Sequence, residues 1–143
     1  MRTRKAGATY FLLVFALGWI LGPIRILWAA PRFGPLIGVL LEAVIMLIGM
    51  IIAAEWALRR FDARRALVPT ISMGLIAVGL LLPAEIAGVL WIRRLPLQEY
   101  LATFLNPSGL VSLSIFLLFA AMPTLVSRLG NRNRPARQAI TDS

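Results

Sequence analysis

Long apolar stretches, separated by charged breaks and by breaks that contain Pro or Gly, dominate the chain. Four of these stretches are long enough for membrane spans, because about 20 apolar residues cross the roughly 30 Å of hydrocarbon in a bilayer. We place the spans at about 8–29, 36–58, 69–92 and 107–126. The pattern therefore predicts an all-α, polytopic membrane protein with four transmembrane helices and short loops.

A shorter helix is predicted between the third and fourth spans. Apolar residues recur there at i, i+3, i+4, i+7 and i+8, namely Leu97, Tyr100, Leu101, Phe104 and Leu105. This spacing puts them on one face of a helix. Because the segment is too short to cross a membrane, we expect it to lie in the interface before the fourth span.

The domain organisation follows from these spans. Residues 1–7 form a basic N-terminus, residues 8–128 a single transmembrane domain, and residues 129–143 a basic polar tail that we expect to be disordered. A cleaved signal peptide is the alternative for the first span. We favour a retained helix, because Arg25 interrupts the end of the apolar run and Pro31 would follow the cut.

Composition supports a membrane protein and excludes several kinds of chemistry. The chain has 143 residues, of which 59% are hydrophobic. A soluble protein of this length would have too few polar residues to cover four fully buried helices. The chain contains no Cys and no His. Thiol chemistry, iron–sulfur clusters, His-ligated haem and a Ser-His dyad are therefore excluded, although a carboxylate metal site is not. We predict no enzyme, no catalytic residues, no metal site and no cofactor.

The net charge of +9 is placed at helix ends, which favours lipid over nucleic acid as the partner. The N-terminus, the second loop and the tail lie on one side of a four-span protein and hold 11 of the 15 basic residues. The positive-inside rule therefore places both termini in the cytoplasm, with anionic lipid at that face. The opposite side has a basic rim of Arg32, Arg93 and Arg94.

Three charged residues lie within the predicted spans, on three different helices. A rise of about 1.5 Å per residue puts Glu42 and Glu85 roughly 10 Å, and Arg25 roughly 6 Å, below the outer surface. A charge at this depth needs a partner, so we predict a buried Arg25–Glu42–Glu85 cluster. Since one Arg cannot neutralise two carboxylates, either Arg93 or Arg94 reaches back or one Glu is protonated.

Small residues accompany the charges on the same helix faces. Such residues mark close helix contact in membranes, so we predict packing positions at Gly18, Gly22, Gly38, Gly49 and Gly88. The charges would then point into the bundle. Three interpretations of the cluster stay open: an ion pair that fixes helix register, a site for a ligand, ion or proton, and a contact with a partner's helix.

The runs "LGPIRILWAAPRFG" and "LLPAEIAG" and the Glu seven residues into the second span carry a resemblance. From Phe11 to Phe119 the chain resembles a group of small four-helix bacterial inner-membrane proteins. The resemblance implies a fold and a location and no activity.

Two functions are favoured over a third, a membrane enzyme, for which only carboxylates, Arg and Tyr would be available as catalytic groups. The first is a structural, accessory or self-associating helix bundle without catalytic activity, which could belong to a homodimer or a larger membrane complex. The alternative is a small homodimeric transporter or ion-handling protein that uses the Arg25–Glu42–Glu85 cluster. We expect the transporter to need a dimer, because four short helices enclose little volume.

Overall fold

The computed structural model describes residues 1–62 and 66–132. All regular secondary structure in these residues is helical. A π-helical turn at Arg25–Ala29 separates the first two helices. The helices are α1 (Arg2–Ile24), α2 (Ala30–Phe33), α3 (Pro35–Arg60), α4 (Leu67–Trp91), α5 (Leu97–Thr103) and α6 (Pro107–Arg132).

Four helical segments are long and apolar enough to cross a membrane. They are Arg2–Phe33, Pro35–Arg60, Leu67–Trp91 and Pro107–Arg132, with mean hydropathy between 2.0 and 2.7 in their most apolar windows. The predicted all-α class is confirmed, and so is the short helix before the last span, which is α5. The chain is therefore a multi-pass membrane protein whose apolar helices contact the lipid bilayer.

The four long helices form a ring in the order α1, α3, α6, α4. Each packs against its two ring neighbours, whereas the diagonal pairs α1/α6 and α3/α4 make little backbone contact. Two helical hairpins, α1–α3 and α4–α6, build this ring. The N-terminus of α1 and the C-terminus of α6 therefore lie at one end, which we call the terminal end, and α2 and α5 lie at the opposite end, which we call the hairpin end.

Gly34 makes the turn between α2 and α3. Its φ of 88° lies in the left-handed region, which favours glycine because a Cβ is strained there. Pro35 is the first residue of α3. The N–H groups at this position have no partner within a helix, so the lack of an N–H in proline costs no hydrogen bond. This tight turn holds α1 and α3 as neighbours.

The helices extend beyond the predicted spans at both termini. α1 begins at Arg2, inside the predicted N-terminal segment, and α6 continues to Arg132. The first residues of the predicted disordered tail are therefore helical, because helix hydrogen bonds continue past the point where the apolar run ends. Residues 63–65 and 133–143 lie outside the described residues, and with them Arg64, Arg65, Arg134 and Arg137 of the charge count and the rest of the tail.

The packed core lies in the terminal half of the bundle. Its fully buried side chains include small residues of α3 and larger ones from all four spans, among them Tyr10, Met50, Leu58, Met73 and Phe119. The Tyr10 ring stacks on Phe119 with centroids 4.7 Å apart, and its hydroxyl donates a 3.0 Å hydrogen bond to the Phe119 carbonyl. This contact joins α1 to α6 across the ring diagonal.

Candidate functional site

A central cavity occupies the hairpin half of the bundle. It has a volume of about 490 Å³ and is lined by all four spans and by α5. Its floor is formed by residues of the packed core, namely Val14, Met50, Leu81 and Phe119. Polar side chains lie nearer the hairpin end, so the cavity combines an apolar floor with a charged mouth. We call it the central cavity below.

Arg25 and Glu42 form an ion pair in the wall of the central cavity. Arg25 Nη1 lies 3.0 Å from Glu42 Oε2, and the two side chains are 20% and 16% exposed. Pro23 precedes the pair in α1, and proline lacks the N–H that a helix would use. A π-helical turn follows at Arg25, in which the Ala30 N–H bonds to the Arg25 carbonyl. Such turns are frequent at functional sites.

Gly38 allows α3 to approach this turn. A Cβ at Gly38 would lie 3.3 Å from the Ala30 nitrogen and 3.4 Å from Arg25 Cγ. Contacts this short are tighter than side chains normally accept. The absent side chain therefore brings Glu42, one helical turn further along α3, within reach of the Arg25 guanidinium.

Glu85 lies in the same cavity wall without joining the pair. It is half-buried on α4, and within the described residues it forms no ion pair and no hydrogen bond. Arg93 and Arg25 are the cations that act on it electrostatically, with Arg93 the stronger. The structure thus brings the three predicted residues to one cavity, but it pairs only Arg25 with Glu42.

Tyr100, Ser108 and Ser112 also line the central cavity, and the sequence did not assign them to a site. Tyr100 was predicted only as part of an apolar helix face. Burial and the neighbouring Glu85 charge raise the pKa of Tyr100 above its ordinary value, so its hydroxyl stays protonated and can donate a hydrogen bond. The Ser112 hydroxyl donates to the Ser108 carbonyl within α6.

The predicted basic rim lies at the hairpin end. Arg32 sits over the Trp28 ring at 4.9 Å from the centroid, a cation–π contact. Arg93 lines the central cavity and is exposed, whereas Arg94 is exposed outside it. Arg94 has a φ of 52°, a left-handed conformation at the turn from α4 to α5.

The five predicted packing glycines have different surroundings. Gly38 lies against the π-helical turn and the start of α2, and Gly49 lies against α1, where a Cβ would collide with the Leu17 side chain. A Cβ at Gly18 would make ordinary contact with Met46. Gly22 and Gly88 instead line the cavity, with no atom within 4 Å of a Cβ there. They leave room for the cavity rather than for a neighbouring helix.

At two other glycines, a Cβ would collide with the backbone of a neighbouring helix. A Cβ at Gly74 would collide with the Ala120 carbonyl of α6, and a Cβ at Gly109 would collide with the Thr103 carbonyl of α5. Gly74 therefore allows the close approach of α4 to α6, and Gly109 allows that of α6 to α5.

The lining of the central cavity combines charged and hydroxyl groups with an apolar floor. Within residues 1–62 and 66–132, no group of three or more His, Cys, Asp or Glu side chains could hold a metal ion. The polar groups are instead two arginines, two glutamates, a tyrosine, a threonine and two serines above an apolar floor. A cavity with a few convergent polar groups is typical of small-molecule sites, which span roughly 300–1,000 Å³.

Comparison with known proteins adds no family to this description. No family model, no curated protein and no solved structure matches the chain, so the resemblance described above remains without an identified family. The chain is a small four-span membrane protein.

Proposed function

We propose that this protein binds a small molecule in the central cavity and has no catalytic activity of its own. One observation carries the proposal: a single chain forms an open cavity of about 490 Å³ between its four spans, with charged groups above an apolar floor. The expectation that four short helices enclose too little volume rested on fully packed helices. The buried apolar core here lies in the terminal half and the cavity lies in the hairpin half, which supports a ligand site within one chain.

We further propose that the cavity opens on the outer face of a bacterial cytoplasmic membrane. Basic residues support this orientation, because the terminal end carries those of the N-terminus, the end of α3 and the end of α6. Lys and Arg accumulate on the cytoplasmic side and contact anionic lipid there. The termini would then be cytoplasmic and the hairpin end external.

Cysteine labelling tests the cavity and its orientation together. The chain has no native Cys, so each introduced thiol is unique. Ser112 lines the central cavity, whereas Ser114 lies in a groove on the outside of the bundle, and each hydroxyl bonds to the carbonyl four residues earlier in α6. The Ser114→Cys variant is therefore a control matched in helix, depth and local hydrogen bonding.

We expect a charged, membrane-impermeant thiol reagent to label the Ser112→Cys variant from outside right-side-out vesicles and to leave the Ser114→Cys variant unlabelled. The reason is that the cavity admits water, whereas the groove faces lipid. Failure to label Ser112→Cys from either side would overturn the ligand-binding proposal. Labelling only from the cytoplasmic side would overturn the orientation.

An accessory or self-associating role is the second candidate. It is supported by an apolar groove of about 260 Å³ between α3 and α6, lined by residues such as Leu40, Leu47, Val111 and Leu118. Small and apolar surfaces of this kind pack against helices in membranes. Native mass spectrometry after mild detergent extraction tests it: a stoichiometric larger partner supports the accessory role, and a monomer contradicts it.

A homodimeric transporter remains the alternative within the ligand-binding proposal. A cavity that is open at one end and closed by a packed floor corresponds to one state of alternating access. A homodimer in native mass spectrometry, together with ligand uptake by proteoliposomes, would favour transport. Binding without uptake would favour a binding protein.

A further inference from the structure

Two opposite charges in the central cavity remain without an ion-pair partner. Arg25 is already matched by Glu42 at 3.0 Å. Glu85 is half-buried in the wall, and Arg93 is exposed at the mouth, and neither forms an ion pair within the described part of the chain. A carboxylate at membrane depth is unfavourable when it is unpaired. A ligand that supplies a cation would therefore be stabilised at Glu85.

Glu85 and Arg93 nevertheless both border the central cavity and interact electrostatically with each other. Arg93 is the cation with the strongest electrostatic interaction with Glu85, and both charges interact electrostatically with Tyr100. They are eight residues apart in the sequence at the end of α4, which corresponds to about 12 Å of helix axis, and the Arg93 side chain covers part of that distance. The cavity thus presents a carboxylate at mid-height and a guanidinium nearer the mouth.

Aromatic and apolar groups form the rest of the cavity. Phe15, Trp19, Phe104, Phe116 and Phe119 all contribute to its lining. Aromatic faces accept apolar groups and also attract ammonium ions. The lining therefore has one negative site, one positive site and a large apolar surface.

We infer that the central cavity binds a small zwitterion with an apolar side group, such as an aromatic α-amino acid. This inference rests on the proposed ligand-binding function. The ammonium group would contact Glu85, the carboxylate would contact Arg93, and the ring would contact the aromatic and apolar lining. A simple cation would leave Arg93 unmatched and be repelled by Arg25 and Arg93, whereas a simple anion would meet the Glu85 carboxylate.

Three ligands with the same phenylethyl body test the charge requirement on an unaltered cavity. They are L-phenylalanine, phenethylamine and 3-phenylpropionate, which carry both charges, the cation alone and the anion alone. Trp19 reports binding because it lines the cavity, once Trp28, Trp56 and Trp91 are replaced by Phe. A matched variant that retains only Trp91, which is 84% exposed outside the cavity, serves as the control.

We expect phenylalanine to change the Trp19 emission and to bind at least about tenfold more tightly than either singly charged analogue, because charge-assisted hydrogen bonds form at both ends. The Trp91 emission should not change. In the Glu85→Gln variant phenylalanine should bind no better than 3-phenylpropionate. In the Arg93→Gln variant it should bind no better than phenethylamine.

Exposed charges near the mouth provide controls for the two variants. Glu99 and Arg94 lie at the hairpin end but do not line the cavity. The Glu99→Gln and Arg94→Gln variants should therefore keep the preference for phenylalanine.

The outcomes separate this inference from the function on which it rests. Equal or tighter binding of phenethylamine would overturn the zwitterion in favour of a cation, and equal or tighter binding of 3-phenylpropionate would overturn it in favour of an anion. No binding of any of the three, while Ser112→Cys is still labelled from outside, would reject the ligand class and leave the ligand-binding function standing. Loss of both results would reject the function itself.

Discussion

The guanidinium Nη1 of Arg25 lies 3.0 Å from the carboxylate Oε2 of Glu42. This ion pair joins the π-helical turn after α1 to the first half of α3. It explains how a single carboxylate can interrupt the apolar run from Gly38 to Met50. Because both side chains are largely buried, the ion pair should contribute more to the stability of the protein than an ion pair on the surface.

We expect the Arg25→Gln and Glu42→Gln changes each to lower the free energy of unfolding, and the double change to recover part of the loss. Each single variant leaves an unpaired charge in the cavity wall, so we expect a coupling energy of about 1–3 kcal/mol. A double-mutant cycle measured by unfolding in detergent gives this value. The exposed pair of Glu55 and Arg59 is the control and should couple by only about 0.3–0.5 kcal/mol. Strict additivity of the Arg25 and Glu42 effects would contradict the ion pair.

The contact of α4 with α6 at Gly74 should not tolerate a methyl group. In the Gly74→Ala variant the new Cβ would collide with the Ala120 carbonyl, which is backbone and cannot rotate away. We expect a destabilisation of about 1–3 kcal/mol or more, measured as the thermal midpoint in detergent. Gly79 lies on the same helix with no atom within 4 Å of a Cβ. The Gly79→Ala variant should therefore be neutral or more stable by up to about 1 kcal/mol, and a similar loss at both sites would contradict this packing.

The Tyr10→Phe variant should lose about 1 kcal/mol of stability. It keeps the stacked ring on Phe119 but removes the buried hydrogen bond to the Phe119 carbonyl. Chemical unfolding with a fixed detergent concentration measures the difference. Tyr100, the other tyrosine of the chain, is half-buried at the cavity mouth, so the Tyr100→Phe variant should change the stability by less than about 0.5 kcal/mol. Equal effects of the two changes would show that the Tyr10 hydroxyl does not link α1 to α6.

The Arg94→Gly variant of the protein should be more stable than the Arg94→Ala variant. The φ of 52° at Arg94 is left-handed, and a non-glycine residue there carries roughly 1–2 kcal/mol of strain. The Arg94→Gly and Arg94→Ala variants remove the same charge, so the difference between their thermal midpoints reports the backbone alone. We expect Arg94→Gly to unfold at the higher temperature. The opposite order would mean that the turn after α4 adopts another conformation.

The sequence was sufficient to predict the four spans and the short helix before the last of them. Charges are rare in apolar helices and need partners, so helix length and rise alone placed Arg25, Glu42 and Glu85 at one level. The structure pairs the first two and leaves Glu85 in the cavity wall. The choice of partner depends on side-chain reach and on the close approach at Gly38, which the rise along each helix does not specify.

The central cavity could not be predicted from the sequence, because it depends on which helices are neighbours. Gly22 and Gly88 have the same spacing and residue type as packing glycines, yet they face empty space. Conversely, Gly109 carries no pattern in the sequence that distinguishes it, although a Cβ there would collide with the Thr103 carbonyl. A small residue can either allow close contact with a neighbouring helix or line a cavity, and the order of the helices in the ring decides between the two.

The hairpin that joins α1 to α3 has a consequence for biosynthesis. A chain made from its N-terminus inserts this hairpin first, and both Arg25 and Glu42 belong to it. The two charges can therefore neutralise each other while α4 and α6 are still unmade. Glu85 arrives with the second hairpin, which also contains Arg93. Each inserting unit thus brings one acidic and one basic residue to the lining of the central cavity, and the fully buried core closes only when the last helix joins the ring.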